Sequence, residues 1–177
     1  MRVNTRMKNK QFGFTIVELL IVIVIIGILA AITVVAYNGI QNRANNTKTQ
    51  QAVAAYAKAM TLYGQDKGSY PDPAYYTCLG QEYIESAKCD SAANLTNTTT
   101  LMTALRPYMS SSAPNPAMTD VNGRRGAFYH SNATTYYIFF MQAGTNTCPA
   151  IGGTTRELGD TVVAGGVWCR ASLPALV

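Results

Sequence analysis

From Phe14 to Ala36 the chain runs 23 residues with only Thr15, Glu18, Gly27 and Thr33 interrupting an apolar series. At about 1.5 Å per helical residue that is about 35 Å, enough to cross a bilayer core of about 30 Å. Lipid satisfies no backbone hydrogen bonds, so a run of this kind must be helical there. No charge occurs from Leu19 to Asn42. Arg2, Arg6, Lys8 and Lys10 precede the run without a single acid among them, which holds the N-terminus in the cytoplasm and sends everything after Tyr37 outside. These four cations also account for most of the net charge of +5. Without them, 10 of the 14 Lys and Arg remain against 9 Asp and Glu. The bulk of the chain is therefore nearly neutral, and its basicity is no footprint for nucleic acid. Charged residues at 13% are too sparse for a long disordered region or a coiled coil.

A secretory signal would have an apolar core of about 7–15 residues and a small-residue cut site. Val34-Val35-Ala36 offers such a site, but the run ahead of it is too long and opens on Glu18. A plain membrane anchor fits the length and leaves Glu18 unexplained, since ionisable groups within spans are rare and usually partnered.

The segment Lys10-Gln11-Phe12-Gly13-Phe14-Thr15-Ile16-Val17-Glu18-Leu19-Leu20 resembles the prepilin signature of type IV pilins and the related pseudopilins. The match covers about the first 35 residues: a short basic leader, a glycine, an aromatic residue, and an acid four residues on. The resemblance implies that a membrane peptidase cuts after Gly13 and methylates the new amine of Phe14. It further implies that Glu18 of one subunit pairs with the Phe14 amine of a neighbour during assembly. The chemistry is consistent with that register. Glycine lets backbone approach closely, and a carboxylate in hydrocarbon costs much less beside a cation. Many type IV pilins carry a proline within the apolar helix, whereas here no proline precedes Pro71.

Beyond the apolar run, Ile40, Ala44, Ala54, Ala57 and Met60-Thr61 fall near one helical face, with Arg43, Lys48 and Lys58 elsewhere. Gly64, Asp66, Gly68 and Tyr70-Pro71-Asp72-Pro73 end the pattern, so one helix is expected from Phe14 to about Tyr63. About 75 Å of helix is too long for a small domain to cover, and a stem with a head packed on its second half is expected. A short helix is expected over Thr99–Tyr108, capped by Asn97 or Thr98. Turns are expected at Pro114-Asn115-Pro116 and from Asp120 to Gly123. Strands are expected over Gly126–His130, Thr134–Gln142, Thr161–Ala164 and Val167–Arg170, with a turn at Ser131-Asn132-Ala133 and a hairpin at Gly165-Gly166. The resulting class is α+β: the pilin fold, with a long N-terminal helix and an antiparallel sheet of about four strands. The parts divide into a leader at 1–13, an apolar core helix at 14–36, an amphipathic continuation at 37–65 and a head at 66–177. The segment Tyr63–Pro71 is also similar to major pseudopilins.

Cys78, Cys89, Cys148 and Cys169 allow three pairings. The nearest-neighbour one, Cys78–Cys89 with Cys148–Cys169, is the expectation, in a compartment that permits disulfides.

No Walker loop, H-E-x-x-H or G-x-S-x-G occurs, and His130 is the single histidine, expected at a strand end facing water. Glu82 and Glu85 read as a solvated turn. Arg124-Arg125 beside Tyr129 and His130 suggest DNA contact by phosphate binding and stacking, though an exposed strand start explains them as well. The 11 tyrosines suit adhesion, a subunit interface or a loop-rich core. Asn45, Asn94, Asn97 and Asn132 stand in N-x-Thr patterns. No catalysis, cofactor or metal is expected.

The resemblance implies a homopolymer made with a prepilin peptidase/methyltransferase, an assembly ATPase and a platform protein. Such a subunit is held in the inner membrane before assembly and displayed on the surface afterwards, serving attachment to a host surface, twitching motility or DNA uptake. A pseudopilin of a type II secretion or competence system, or a minor pilin, is the alternative. Mass spectrometry of the mature chain should find N-methylated Phe14 at its start; an uncut Met1 or a start at Tyr37 contradicts the prepilin reading.

Overall fold

The structure is a computed structural model that describes residues 13–72, 76–80, 89, 95–96, 98–110, 114–117, 120–121, 124–131, 134–156 and 161–176. Helix α1 spans Ile16–Lys67, and the chain divides into two compact units, Met1–Asn38 and Gly39–Val177. The described part of the first unit is helix with apolar side chains all round it. Every large apolar side chain described between Ile16 and Val34 is at least half exposed, from Val24 at 50% to Ile16 at 85%. A helix that is apolar all round needs an apolar environment on every side.

In the second unit α1 has a core-facing stripe. Thr49, Ala52, Val53, Tyr56, Ala57 and Met60 are fully buried at helical spacing, while Arg43, Lys48 and Lys58 are exposed. Ala57 and Met60 thus lie where the pattern put them. Ile40 and Ala44 do not: both are exposed. Among the described residues, the side-chain hydrogen bonds from α1 to the sheet begin at Asn46, and Gly144, which lies beside Asn42, is already past the end of β6. At that edge the contact is made by amides. Asn46 donates to the Ala143 carbonyl and accepts from the Ala143 N–H, both at 2.9 Å, and Gln50 Nε2 donates to Gln142 Oε1 at 2.7 Å. Deeper in, the contact is apolar.

The helix runs past the expected end near Tyr63. Gly64 stays helical and buried because Leu176 lies against it: an added Cβ would come within 2.6 Å of the leucine side chain. The stop comes at Gly68, whose φ of +74° and N–H bond to the Gly64 carbonyl at 2.8 Å form a glycine C-cap.

Nine strands follow among the described residues. β1 (Tyr76–Cys78), β2 (Leu95–Thr96), β5 (Ala127–Ser131), β6 (Tyr136–Ala143), β7 (Thr155–Arg156), β8 (Thr161–Val163) and β9 (Gly166–Ser172) form one sheet. Its order is β2-β1-β5-β6-β9-β7, with β8 also paired to β9. β3 (Asp120–Val121) and β4 (Arg124–Arg125) make a separate two-stranded ladder. The fold class is α+β as expected, and the four expected strands are the framework. The three further strands of the main sheet are two or three residues long, too short to show alternation, and β1–β2 is parallel. α2 (Thr98–Leu105) passes into a 3₁₀ turn over Arg106–Tyr108, where Pro107 cannot continue an α-helix. Asn97, its proposed cap, lies outside the described residues.

Register fixes which residues face α1. Tyr129, Ile138, Phe140, Val167, Cys169 and Ala171 join the helix in the main core, and Phe128, Phe139 and Trp168 pack together on the other face with Cys78 and Cys89. The β8–β9 hairpin turns one residue earlier than expected. Ala164-Gly165 is the loop, with Gly165 at φ +88°, and Gly166 is already in the strand opposite Ala143. A Cβ on Gly166 would lie 2.2 Å from the Gln142 carbonyl oxygen, so close strand approach requires glycine there. Two disulfides are present, Cys78–Cys89 and Cys148–Cys169, the second tying a loop to β9 across 21 residues.

His130 departs from the water-facing expectation. Its ring stacks on Tyr76 with centroids 4.3 Å apart, Nδ1 is buried without a hydrogen-bond partner, and burial holds its pKa below the ordinary histidine value. Folding therefore lowers the proton affinity of this imidazole, and its contribution to stability is present at neutral pH and lost as pH falls below about 6.5. The melting temperature of the full chain in detergent should decline from about pH 7 to about pH 5, and less so in His130→Phe; equal slopes contradict this. Replacing both Cys148 and Cys169 by serine should cost about 2–4 kcal/mol in a denaturant titration.

Candidate functional site

The residues expected to carry processing and assembly meet at the start of α1. Gly13 and Phe14 precede the helix, and Phe14 is 88% exposed. A Cβ on Gly13 would meet nothing within 4 Å, so packing inside this chain gives no reason for a glycine there.

Thr15 and Glu18 form a reciprocal cap. The Thr15 N–H donates to Glu18 Oε2 at 2.9 Å and the Thr15 hydroxyl donates to the same oxygen at 2.7 Å, while the Glu18 N–H donates to Thr15 Oγ1 at 3.2 Å. The pattern is a capping box, in which two helix N–H groups that lack intrahelical partners are satisfied by side chains three residues apart. The first ordinary helical bond, Leu19 N–H to the Thr15 carbonyl at 3.3 Å, follows it. Glu18 is thus the acid of the helix's first turn, held back toward Phe14 by its own chain. It also lies at the positive end of the helix dipole, where a negative charge is favoured. Thr15 escaped the sequence reading, although Thr-x-x-Glu before an apolar run is a readable signal.

Other residues singled out in the sequence do not assemble into a site. Tyr129 is fully buried and donates its hydroxyl to the Pro71 carbonyl at 2.7 Å, and burial pushes its pKa far up. His130 points to the opposite face of the sheet, against Tyr76 and Phe139. The patch of Arg124-Arg125 with both aromatics is therefore corrected: strand alternation separates its two rings. Arg124 and Arg125 form β4, opposite Val121 and Asp120. Asn45 lies within α1 and accepts a bond from Gln41 at 3.1 Å. Glu82, Glu85, Asn94 and Asn132 lie outside the described residues, as do the four leader cations. Among the described residues no group of three or more His, Cys, Asp or Glu could hold a metal ion.

Residues 8–34 match the family model described as the prokaryotic N-terminal methylation motif. The chain is 38% identical over 64 residues to the type II secretion system core protein G of Aeromonas hydrophila, covering 36% of this chain and 45% of that one. It is 38% identical over 66 residues to the core protein G of Escherichia coli K12, covering 37% and 46%, and 42% identical over 65 residues to the fimbrial protein EcpC of Eikenella corrodens, covering 37% and 42%. The chain thus spans somewhat under half the length of the curated relatives it matches. No solved structure matches it significantly. The similarity is thus to type IV pilin-like proteins over the N-terminal third, where a prepilin-type methylation motif opens the long helix of an α+β framework.

Thr15→Val should remove the cap and speed amide exchange in the first turn of α1 by about fivefold, the scale of a lost N-cap. Thr15→Ser should leave it near wild type; equal exchange in both variants would show that the cap contributes nothing.

Proposed function

We propose that this chain is the structural subunit of a type IV pilus, made as a membrane-held precursor and polymerised through its N-terminal helix. The observation that carries the proposal is the run of apolar side chains from Ile16 to Val34, at least half exposed on every side, with a capped acid at its tip. In water that surface is untenable. It is long and apolar enough to lie in a membrane before assembly, and copies of the same helix cover it afterwards. The leader is residues 1–13, the cut follows Gly13, the methylated amine is on Phe14, and the N-terminus faces the cytoplasm.

Lipid tails are about as apolar as leucine, so transfer of the helix from bilayer to bundle gains little from burial alone. Order has to come from a directional contact. The Glu18 carboxylate, held toward Phe14 by Thr15, supplies it by meeting the Phe14 ammonium of the neighbouring subunit in a low-dielectric environment. Methylation of an amine keeps its charge, so the pairing survives processing. Repetition of one non-closing contact gives a helical fibre. The subunit performs no chemistry itself; a peptidase/methyltransferase, an assembly ATPase and a platform protein act on it, and the resulting surface filament serves attachment, twitching motility or DNA uptake.

The similarity to type II secretion core protein G over the first third of the chain favours a second reading, a pseudopilin whose polymer stays short. Abundance separates the two: long surface fibres made mainly of this chain mark a pilus. Glu18→Gln should leave the cut after Gly13 intact and lower the yield of sheared fibres by about tenfold or more, the loss expected when a buried charge pair is broken. Normal fibres from that variant would overturn the pairing.

A further inference from the structure

A polar cleft of about 690 Å³ lies in the second unit, between α1 and the loop that follows β6. Gly39, Asn42, Arg43, Asn46 and Gln50 supply its helical side, at the three- and four-residue spacings of a single face. The other side is the end of β6 and the loop after it, with Thr145 and Thr147. Both sides are fixed without an occupant. Asn46 is bonded twice to Ala143, the Gly144 N–H donates to the Gly165 carbonyl at 2.9 Å, and the Cys148–Cys169 bridge ties the loop to β9.

Charge in this cleft is of one sign. Arg43 lines it, and no carboxylate does among the described residues. The chain has no acid between Glu18 and Asp66, so none on the neighbouring turns of α1 offsets the arginine. Among the described residues neither the Arg43 guanidinium nor the Asn42 amide has a hydrogen-bond or ion-pair partner. An arginine fork, an amide donor and two hydroxyls in an acid-free cleft match the unesterified oxygens of a phosphodiester.

We propose that the cleft holds the headgroup of an anionic phospholipid while the subunit is in the membrane. The inference rests on the membrane-held precursor and adds a lipid site to it. Position favours a lipid over a soluble phosphate. Gly39 comes three residues after the apolar run ends at Ala36 and Arg43 comes seven after it, about 5 and about 10 Å along a helix. The headgroup layer adds about 5–8 Å to each side of a hydrocarbon core. Helical side chains lean toward the N-terminus, which returns the Arg43 guanidinium toward that layer. The lining also selects the headgroup. The ammonium of a choline or ethanolamine group finds no carboxylate here, whereas the hydroxyls of a glycerol group meet threonine hydroxyls and amide carbonyls. Phosphatidylglycerol is the lipid that fits. Interfacial anchors set the rotation of a spanning helix about its own axis, and a headgroup seated on one face of α1 fixes that rotation before assembly.

The test uses the full-length chain in micelles of an uncharged detergent, read by the side-chain NMR signals of Asn42 and Arg43. Phosphatidylglycerol should shift both signals to saturation, and phosphatidylcholine should bind at least about tenfold more weakly. Arg43→Gln, read at Asn42, should weaken phosphatidylglycerol binding by about tenfold, the scale of a lost charge-assisted contact. Lys48→Gln removes the next cation along α1, which lies outside the cleft, and should stay within about twofold. Equal losses in the two variants mark diffuse attraction to an anionic surface and overturn the site. Glycerol 3-phosphate binding as tightly as the lipid, a short DNA duplex binding more tightly, or no shift at all overturns it too. The measurement needs neither cutting nor assembly, so a failed lipid site beside normal fibres leaves the filament reading intact. A chain found in cells to start at Tyr37 has no membrane-held precursor, and that result overturns both.

Discussion

An apolar helical surface that its own chain does not cover is the constraint on which everything else depends. Between Ile16 and Val34 no face of α1 is polar, and no described residue of the chain buries it. Such a segment persists only in lipid or among other apolar helices. The acid near its start gains meaning from that setting. Glu18 on an ordinary surface helix would be an unremarkable first-turn residue; at the tip of a helix without another charge until Arg43 it is the one group that can give direction to association. Thr15 takes up part of the carboxylate's bonding and so holds the acid in one orientation.

The second unit holds the rest of α1 in two different ways. At Asn46 and Gln50 the link to the end of β6 is a set of amide hydrogen bonds. From Ala52 to Met60 it is close apolar packing beneath Tyr129, Ile138 and Phe140. Such paired amides fix register, because a helix slid by one residue would lose both partners at once. Packing supplies the larger share of the attraction. The Cys148–Cys169 bridge ties the loop after β6 to β9 on the same side of the sheet as the helix.

Much of this was legible in the residues. Length and hydropathy marked the apolar run, the Gly-Phe-x-x-x-Glu register marked the site, aromatic and β-branched runs between turn signals marked β5, β6 and β9, and the glycine hairpin marked β8. What escaped did so for identifiable reasons. Strands of two or three residues have no period to detect. Gly64 reads as a helix stop because glycine is a poor helix former, yet it is retained for the space that Leu176 occupies. Ile40 and Ala44 continue the apolar pattern yet lie ahead of Asn46, where the described side-chain hydrogen bonds from α1 to the sheet begin. Tyr129 and His130 are neighbours in sequence and therefore belong to opposite faces of a strand, a consequence of alternation that was available from the start. The Thr15–Glu18 box was equally readable, since Thr-x-x-Glu ahead of an apolar run is a helix start.

The most direct measurement of the central claim is a helical reconstruction of fibres sheared from cells, at a resolution that traces α1. The account predicts fibres built from chains that begin at Phe14, with residues 16–37 of successive copies bundled along the axis and shielded from solvent. Fibres lacking this chain, fibres with that segment on the outer surface, or a chain found only as separate copies in the membrane would contradict it.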